Sequence, residues 1–335
     1  MASPTKKANT TTNPLRNLIF WLSTKKRVTH GIARLGMRYG FARRFIAGET
    51  LDEALQAIAP FSQARQPVIL NHLGENVATR DEARNARDSY VQILRSLRQA
   101  GIDGNIAVKL TQLGLDFDPP LCLSLTREIA AAAAAMRNSI EIDMEGSAYT
   151  EATLRIVETV QAEQGNAGVA VQAYLFRSEA DLERLAPWKP KIRLVKGAYR
   201  ESPSLAFQRK SEVDANYRKL LDQMFDQLLL PNGAGLRVAI ATHDPALIDY
   251  ACARIRRLRL MPHQYEFQML LGIRRDLQQN VISQGHPFRV YVPFGEAWVP
   301  YFMRRLSERP ANISFVLRTL LAESKKTNSK LTVDG

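Results

Sequence analysis

Cysteine is nearly absent from this chain of 335 residues: Cys122 and Cys252 are the only two, with no CxxC spacing. Both sit in apolar-periodic surroundings, which argues against a disulfide scaffold and a thiolate metal site and for a reducing compartment. Long apolar runs are also missing. The longest near the N-terminus, Leu18–Leu22, falls far short of the roughly 20 residues that cross a bilayer, and it lacks the layout of a secretory signal. Glycines are not arranged for a dinucleotide, because the G-x-G at Gly233 and Gly235 precedes a strand-like run instead of joining a strand to a helix. None of the five histidines has HExxH spacing. Acidic residues are absent from the first 48 positions, which hold ten Lys/Arg, so the formal charge of +13 is concentrated there; the other 287 residues carry 36 basic and 33 acidic side chains, a net +3. A nearly neutral body does not suit a nucleic-acid binder, which needs positive charge spread over a contact face. The basic leader, interleaved with Leu15, Ile19, Trp21 and Leu22, fits an anionic membrane surface, a nucleic acid, a mitochondrial transit peptide or a solvated helical arm.

What the chain does have is a rhythm. With 45% apolar residues it can bury a large core, in one barrel-sized domain or two ordinary ones. Thr50, with Glu53 three residues on, has the spacing of a capping box. Short β-type runs follow at 67–73, 106–111, 140–145, 169–175, 192–198, 237–243, 264–270 and 288–294, with helical patterns between them such as 80–99, 121–137, 150–164, 207–229 and 245–258. Eight alternating βα units predict a parallel sheet with right-handed crossovers, closed into a (β/α)8 barrel.

Chemistry in such barrels gathers at the C-terminal ends of the strands. Those ends carry Asn71 and His72, Lys109 and Thr111, Asp143 and Glu145, Gln172 and Tyr174, Arg193 and Lys196, Thr242 and His243, Glu266 and Gln268, and Tyr291. So many hydrogen-bonding groups around one mouth are costly unless a large polar ligand satisfies them. Each has a plainer reading: a lysine paired with a neighbouring carboxylate, a hydrogen-bonded structural histidine. A barrel of this kind also admits a Schiff-base aldolase, with Lys109 or Lys196 as nucleophile.

Directly after the eighth run comes a helix whose polarity is inverted. From Pro300 onward, Tyr301, Arg304, Arg305, Glu308 and Asn312 fall within an arc of about 100°, the width a buried apolar stripe usually occupies. The blocks IEIDMEGS, VQAYL, RLVKGAY, ATHD, YEFQMLLG and YVPFGEAWVPYFMRRLSERPAN, in this order and spacing, closely resemble the proline dehydrogenase family of flavoenzymes, over about residues 46–320.

The resemblance implies a short monofunctional bacterial type that uses FAD to oxidise L-proline to Δ1-pyrroline-5-carboxylate, passing electrons to membrane quinone. It implies a distorted TIM-type barrel over 46–323, an N-terminal basic helical arm over 1–45, a last helix lying over the barrel mouth, and a polar tail over 324–335. By carry-over, Arg304 and Arg305 clamp the proline carboxylate with Lys109 as a third positive charge. Tyr291 and Tyr301 wall the pyrrolidine ring, with Leu270 as a further candidate. Asp143 holds the cluster in register, and Glu75 gates it by pairing with the first arginine. Gln172 and Arg193 address the isoalloxazine, while Lys196, Gly197, Ala198, Thr242 and His243 lie toward the ribityl and pyrophosphate portion. Arg200 stands where larger relatives have tryptophan. The family also implies a peripheral position at the inner face of the membrane, mitochondrial in a eukaryote, and functional coupling to a pyrroline-5-carboxylate dehydrogenase.

Overall fold

The computed structural model describes residues 42–301, apart from positions 75 and 234 and the side chain at 232. Helix starts follow local chemistry. In α1 (Leu51–Gln63) the Thr50 hydroxyl accepts from the Glu53 amide, and the Glu53 carboxylate accepts from the amides of Glu49 and Thr50. Thr79 and Glu82 repeat this capping box on α2 (Arg80–Gln99), so both helices begin with orphan donors satisfied. An aspartate side chain does the same job at Asp118 for α3 (Pro119–Ala135). Next come α4 (Ser147–Gln164), α5 (Ser178–Leu185), α6 (Lys210–Leu228), α7 (Pro245–Leu258) and α8 (Arg275–Ser283).

Eight strands alternate with these helices: β1 (Val68–His72), β2 (Gly104–Val108), β3 (Ile140–Ile142), β4 (Ala167–Gln172), β5 (Lys191–Val195), β6 (Arg237–Ala241), β7 (Tyr265–Leu270) and β8 (Phe288–Phe294). All pair in parallel in sequence order, and β8 closes on β1. The expected (β/α)8 barrel is therefore the fold. Its core follows the two-residue alternation of a strand. One set of positions, including Val68, Leu70, Ile106, Val108, Ile140, Ile142, Ile192, Leu194, Val238, Ile240, Val290 and Val292, belongs to the continuous apolar core with the helices. The alternate set fills the barrel interior, and much of it is polar.

Several strands stop sooner than their apolar pattern does. β3 ends at Ile142, so Asp143 and Glu145 stand beyond it; β5 ends at Val195, because Gly197 turns to a φ of +118° that a strand cannot hold. β2 ends at Val108, and Lys109 leads into a single 3-10 turn, Leu110–Leu113. The polar ends thus become the lip of the barrel rather than its wall.

The chain divides into two units, one of them Arg44–Glu296, which holds the barrel. The other includes Ala297–Tyr301, helical from position 298 to the last described residue. The basic arm (1–41 of the expected 1–45), the tail, Glu75, Arg304, Arg305, Glu308 and Asn312 lie outside the described residues, as does the expected helix over the mouth beyond Tyr301.

Candidate active site

Side chains from three other strands converge on one carboxylate. Asp143, just past β3, accepts a hydrogen bond from the Tyr291 hydroxyl at 2.8 Å, pairs with Lys109 Nζ at 3.4 Å and takes a further hydrogen bond from Arg193 Nη2. The Arg193 guanidinium also lies over the Tyr291 ring, 5.1 Å from its centroid. Four residues singled out from sequence are thus within one cluster, Lys109 and Asp143 from just past β2 and β3, Arg193 and Tyr291 from the middle of β5 and β8. Burial pushes the Asp143 carboxyl up, but Arg193, Lys109 and the Tyr291 hydroxyl outweigh it and hold the group below the usual carboxylate range. Among these four, two cations face one anion, a surplus that suits an anionic ligand.

The neighbouring strand ends are braced. Thr111 donates its hydroxyl to Glu145 at 2.7 Å and its amide at 3.1 Å, and Gln172 Nε2 donates to the Glu145 carbonyl at 2.9 Å. The Tyr90 hydroxyl on α2 accepts from the Lys109 amide at 3.2 Å and donates to Gln112. On the far side, His243 Nε2 accepts from the Leu270 amide at 3.0 Å, which ties the end of β6 to the end of β7. Thr242 is buried beside it. A Cβ at Gly197 would enter the Tyr174 ring, so only glycine lets the loop through Lys196, Gly197 and Ala198 pass that close.

Lys196 is paired with carboxylates, the plainer reading of that lysine. Its ammonium is engaged by Asp214 at 2.5 Å and by Asp244 at 2.7 Å, with Lys210 completing a four-charge cluster of zero net charge. Lys196 is therefore part of a neutralised group, not an isolated cation. The partners lie on α6 and at the N-cap of α7, and nothing local to RLVKGAY signals them.

Beneath the mouth lies a second polar layer that sequence reading passed over in part. Lys191 Nζ bridges Glu141 at 2.7 Å and Glu266 at 2.6 Å; Arg289 Nε meets Glu266 at 3.1 Å. Gln268 donates to Glu266 at 2.7 Å and to Glu141 at 3.3 Å, and Asn105 donates to Glu141 at 3.1 Å. A Cβ at Gly168 would press on Lys191 and on Glu141 Cγ, so the glycine makes room for the bridge. Burial opposes ionisation of both carboxylates, yet the neighbouring cations keep Glu141 and Glu266 below the ordinary glutamate range. The missed residues, Glu141, Lys191 and Arg289, each precede a mouth residue by two positions, Asp143, Arg193 and Tyr291. Strand alternation alone is the signal that identifies them.

A flavin fits the polar atoms left over. Arg193 Nη1 and Asn71 Oδ1 are buried and have no hydrogen-bond partner among the described residues, an arrangement that a ligand with donors and acceptors at the mouth would complete. No group of His, Cys, Asp and Glu among the described residues is placed to hold a metal ion.

A family model described as proline dehydrogenase matches residues 54–318. Proline dehydrogenase 1 of Bacillus subtilis subsp. natto is 36% identical over 307 residues, 92% of this chain and 99% of that protein. The proline dehydrogenase of Deinococcus radiodurans is 34% identical over 288 residues, 84% of this chain and 91% of its relative. Among solved structures, proline utilization A from Bdellovibrio bacteriovorus superposes with a TM-score of 0.73 at 24% identity, a likeness of fold. That match takes in 80% of this chain but only 32% of the larger protein.

Proposed function

The chain belongs to the proline dehydrogenase family, and from that premise we propose that it oxidises L-proline to Δ1-pyrroline-5-carboxylate with FAD as the bound acceptor and membrane quinone as the final one. The observation that carries this reading is the buried cluster of Lys109, Asp143, Arg193 and Tyr291 at the C-terminal mouth of the barrel.

The flavin, when bound, supplies the two-electron acceptor for the hydride that leaves ring C5 of proline. This chain's residues bind and orient. Lys109 offers its ammonium to the proline carboxylate, with Arg304 and Arg305 as the bidentate clamp, and Tyr291 and Tyr301 bound the ring. Asp143 orients Lys109, Tyr291 and Arg193 at once, which keeps the acceptor-to-ring geometry from wandering. The cations have a second effect: a positive surplus in a water-poor site disfavours a protonated secondary amine, and only the neutral amine can release hydride. Gln172 and Arg193 face the isoalloxazine; Gly197, Ala198, Thr242 and His243 line the way toward the phosphates, and Glu75 gates the carboxylate side. The imine product hydrolyses in water and serves a pyrroline-5-carboxylate dehydrogenase.

The aldolase reading is weaker, because each candidate lysine is engaged in ion pairs, Lys109 with Asp143 and Lys196 with Asp214 and Asp244, and neither presents a free amine to a carbonyl.

The purified protein should take up FAD, and anaerobic L-proline should bleach the bound chromophore. A folded protein that remains colourless with added FAD would defeat the reading. For the membrane step, the ten basic residues within 1–48 supply attraction of about 1 kcal/mol per charge that reaches an anionic surface. Deleting residues 1–44 should weaken binding to phosphatidylserine vesicles while leaving proline-to-dye activity in place; unchanged vesicle binding would remove that role.

A further inference from the structure

Arg193 is held from two sides by carboxylates that belong to different layers. Asp143 meets its Nη2, while Glu141, two residues earlier on β3, brings Oε2 to 3.5 Å from Nη1. The second approach is an ion pair without hydrogen-bond geometry, so Nη1 is left with its donor unspent. The Arg193 side chain is 5% exposed and that of Glu141 1%, so little solvent screens their attraction. Glu141 is itself fixed by Lys191, Asn105 and Gln268. Its main chain pairs with Ala107 and Gly168 on the two flanking strands. Glu141 thus meets cations of both layers, Lys191 and Arg193.

Resting on the flavoenzyme reading above, we infer that Glu141 is a positioning residue for the reaction: from the floor of the barrel it orients the Arg193 guanidinium and sets how much positive charge the mouth presents to the bound flavin. Without it, Arg193 keeps Asp143 as its remaining carboxylate partner among the described residues, and the site becomes more positive by one charge. A more positive site favours the reduced, electron-richer flavin.

Glu266 is the natural control. It lies in the same floor and pairs with Lys191 and Arg289, but no contact joins it to Arg193. Glu141→Gln preserves the shape and the hydrogen-bonding edge while removing the charge; Glu266→Gln does the same where Arg193 is not touched. The midpoint potential of the bound flavin, measured by anaerobic dye titration, should rise in Glu141→Gln by about a tenfold change in the two-electron equilibrium, about 30 mV, and Glu141→Asp should restore part of it. In Glu266→Gln the potential should stay at the wild-type value although the melting temperature falls. For Glu141→Gln, the flavin reduction rate should change more than KM for proline, since the carboxylate clamp is elsewhere.

Equal potentials in wild type and Glu141→Gln, or equal shifts in both variants, would overturn the inference and leave Glu141 as a structural counter-ion for Lys191. Should Glu141→Gln fail to fold, the Glu141→Asp potential decides: a wild-type value overturns the inference and an upward shift supports it. A wild-type protein that binds no flavin removes the underlying reading instead, an outcome visible in its spectrum before any variant is made.

Discussion

The two polar layers inside this barrel are built from the same residue types and are separated by two positions along each strand, yet they are closed to different degrees. In the floor, Glu141 and Glu266 face Lys191 and Arg289, two anions to two cations, and the amides of Gln268 and Asn105 donate into the carboxylates. At the mouth, among the described residues, Lys109 and Arg193 share Asp143, and Arg193 keeps an unspent donor. A charge-balanced layer is scaffold, even with the amide oxygens of Asn105 and Gln268 left unpaired. A layer in which two cations share one carboxylate and a buried donor is in reserve can be completed by a ligand.

The largest effect should come from unbalancing the floor. Lys191→Met leaves the buried Glu141 and Glu266 carboxylates without the ammonium they share, and should cost about 3–5 kcal/mol in denaturant unfolding. Adding Glu266→Gln restores one anion to one cation, Glu141 to Arg289, and should recover most of that loss. If the single and double variants are equally unstable, the floor is not held by charge balance.

Asp143→Asn tests the other layer. It removes the anion shared by Lys109 and Arg193 but keeps an acceptor for the Tyr291 hydroxyl, so the stability cost should be smaller, about 1–3 kcal/mol. Proline turnover should suffer more: kcat/KM should fall on the order of 10²-fold, equivalent to about 2.7 kcal/mol of transition-state binding. Near-wild-type kinetics in this variant would place the reacting centre elsewhere.

The smallest effect is acid sensitivity. Asp143, Glu141 and Glu266 all have folded values below the ordinary ones, so the stability they contribute is fully present above their unfolded values of about 4 and is lost as pH falls through the depressed folded values. Each unit of depression corresponds to about 1.4 kcal/mol. Melting temperature should therefore be flat from pH 7 to about 5 and drop below about 4. In Lys191→Met the part of the acid loss that comes from the floor should shrink, because Glu141 and Glu266 lose the cation that depresses their folded values and so gain less from being ionised. An acid loss of the same size in both proteins would mean the floor does not govern acid unfolding.

How far the sequence reached can be judged residue by residue. Lys109, Asp143, Arg193 and Tyr291 were separate polar strand ends in the sequence, and the structure brings them together. His243 and Leu270, also singled out, turn out to be joined by a hydrogen bond. The carboxylates that pair with Lys196, Asp214 and Asp244, reach it from α6 and the start of α7, 18 and 48 positions away. Glu141 was hidden inside a run that looked merely β-forming, and Lys191 stood one residue before its run, at the first position of β5.

By itself the sequence determined the eight βα units, the capping boxes that start α1 and α2, and the alternation that sends one face of each strand into apolar packing and the other into the barrel. Those are local properties, set by backbone periodicity and by side chains within four residues of one another. Only the tertiary structure decided which inward charges meet. Glu141, Lys191 and Glu266 come from β3, β5 and β7, which are not hydrogen-bonded neighbours, and they touch across the interior because the sheet closes with one register. That register depends on the pairing of all eight strands at once, and no stretch of sequence contains it.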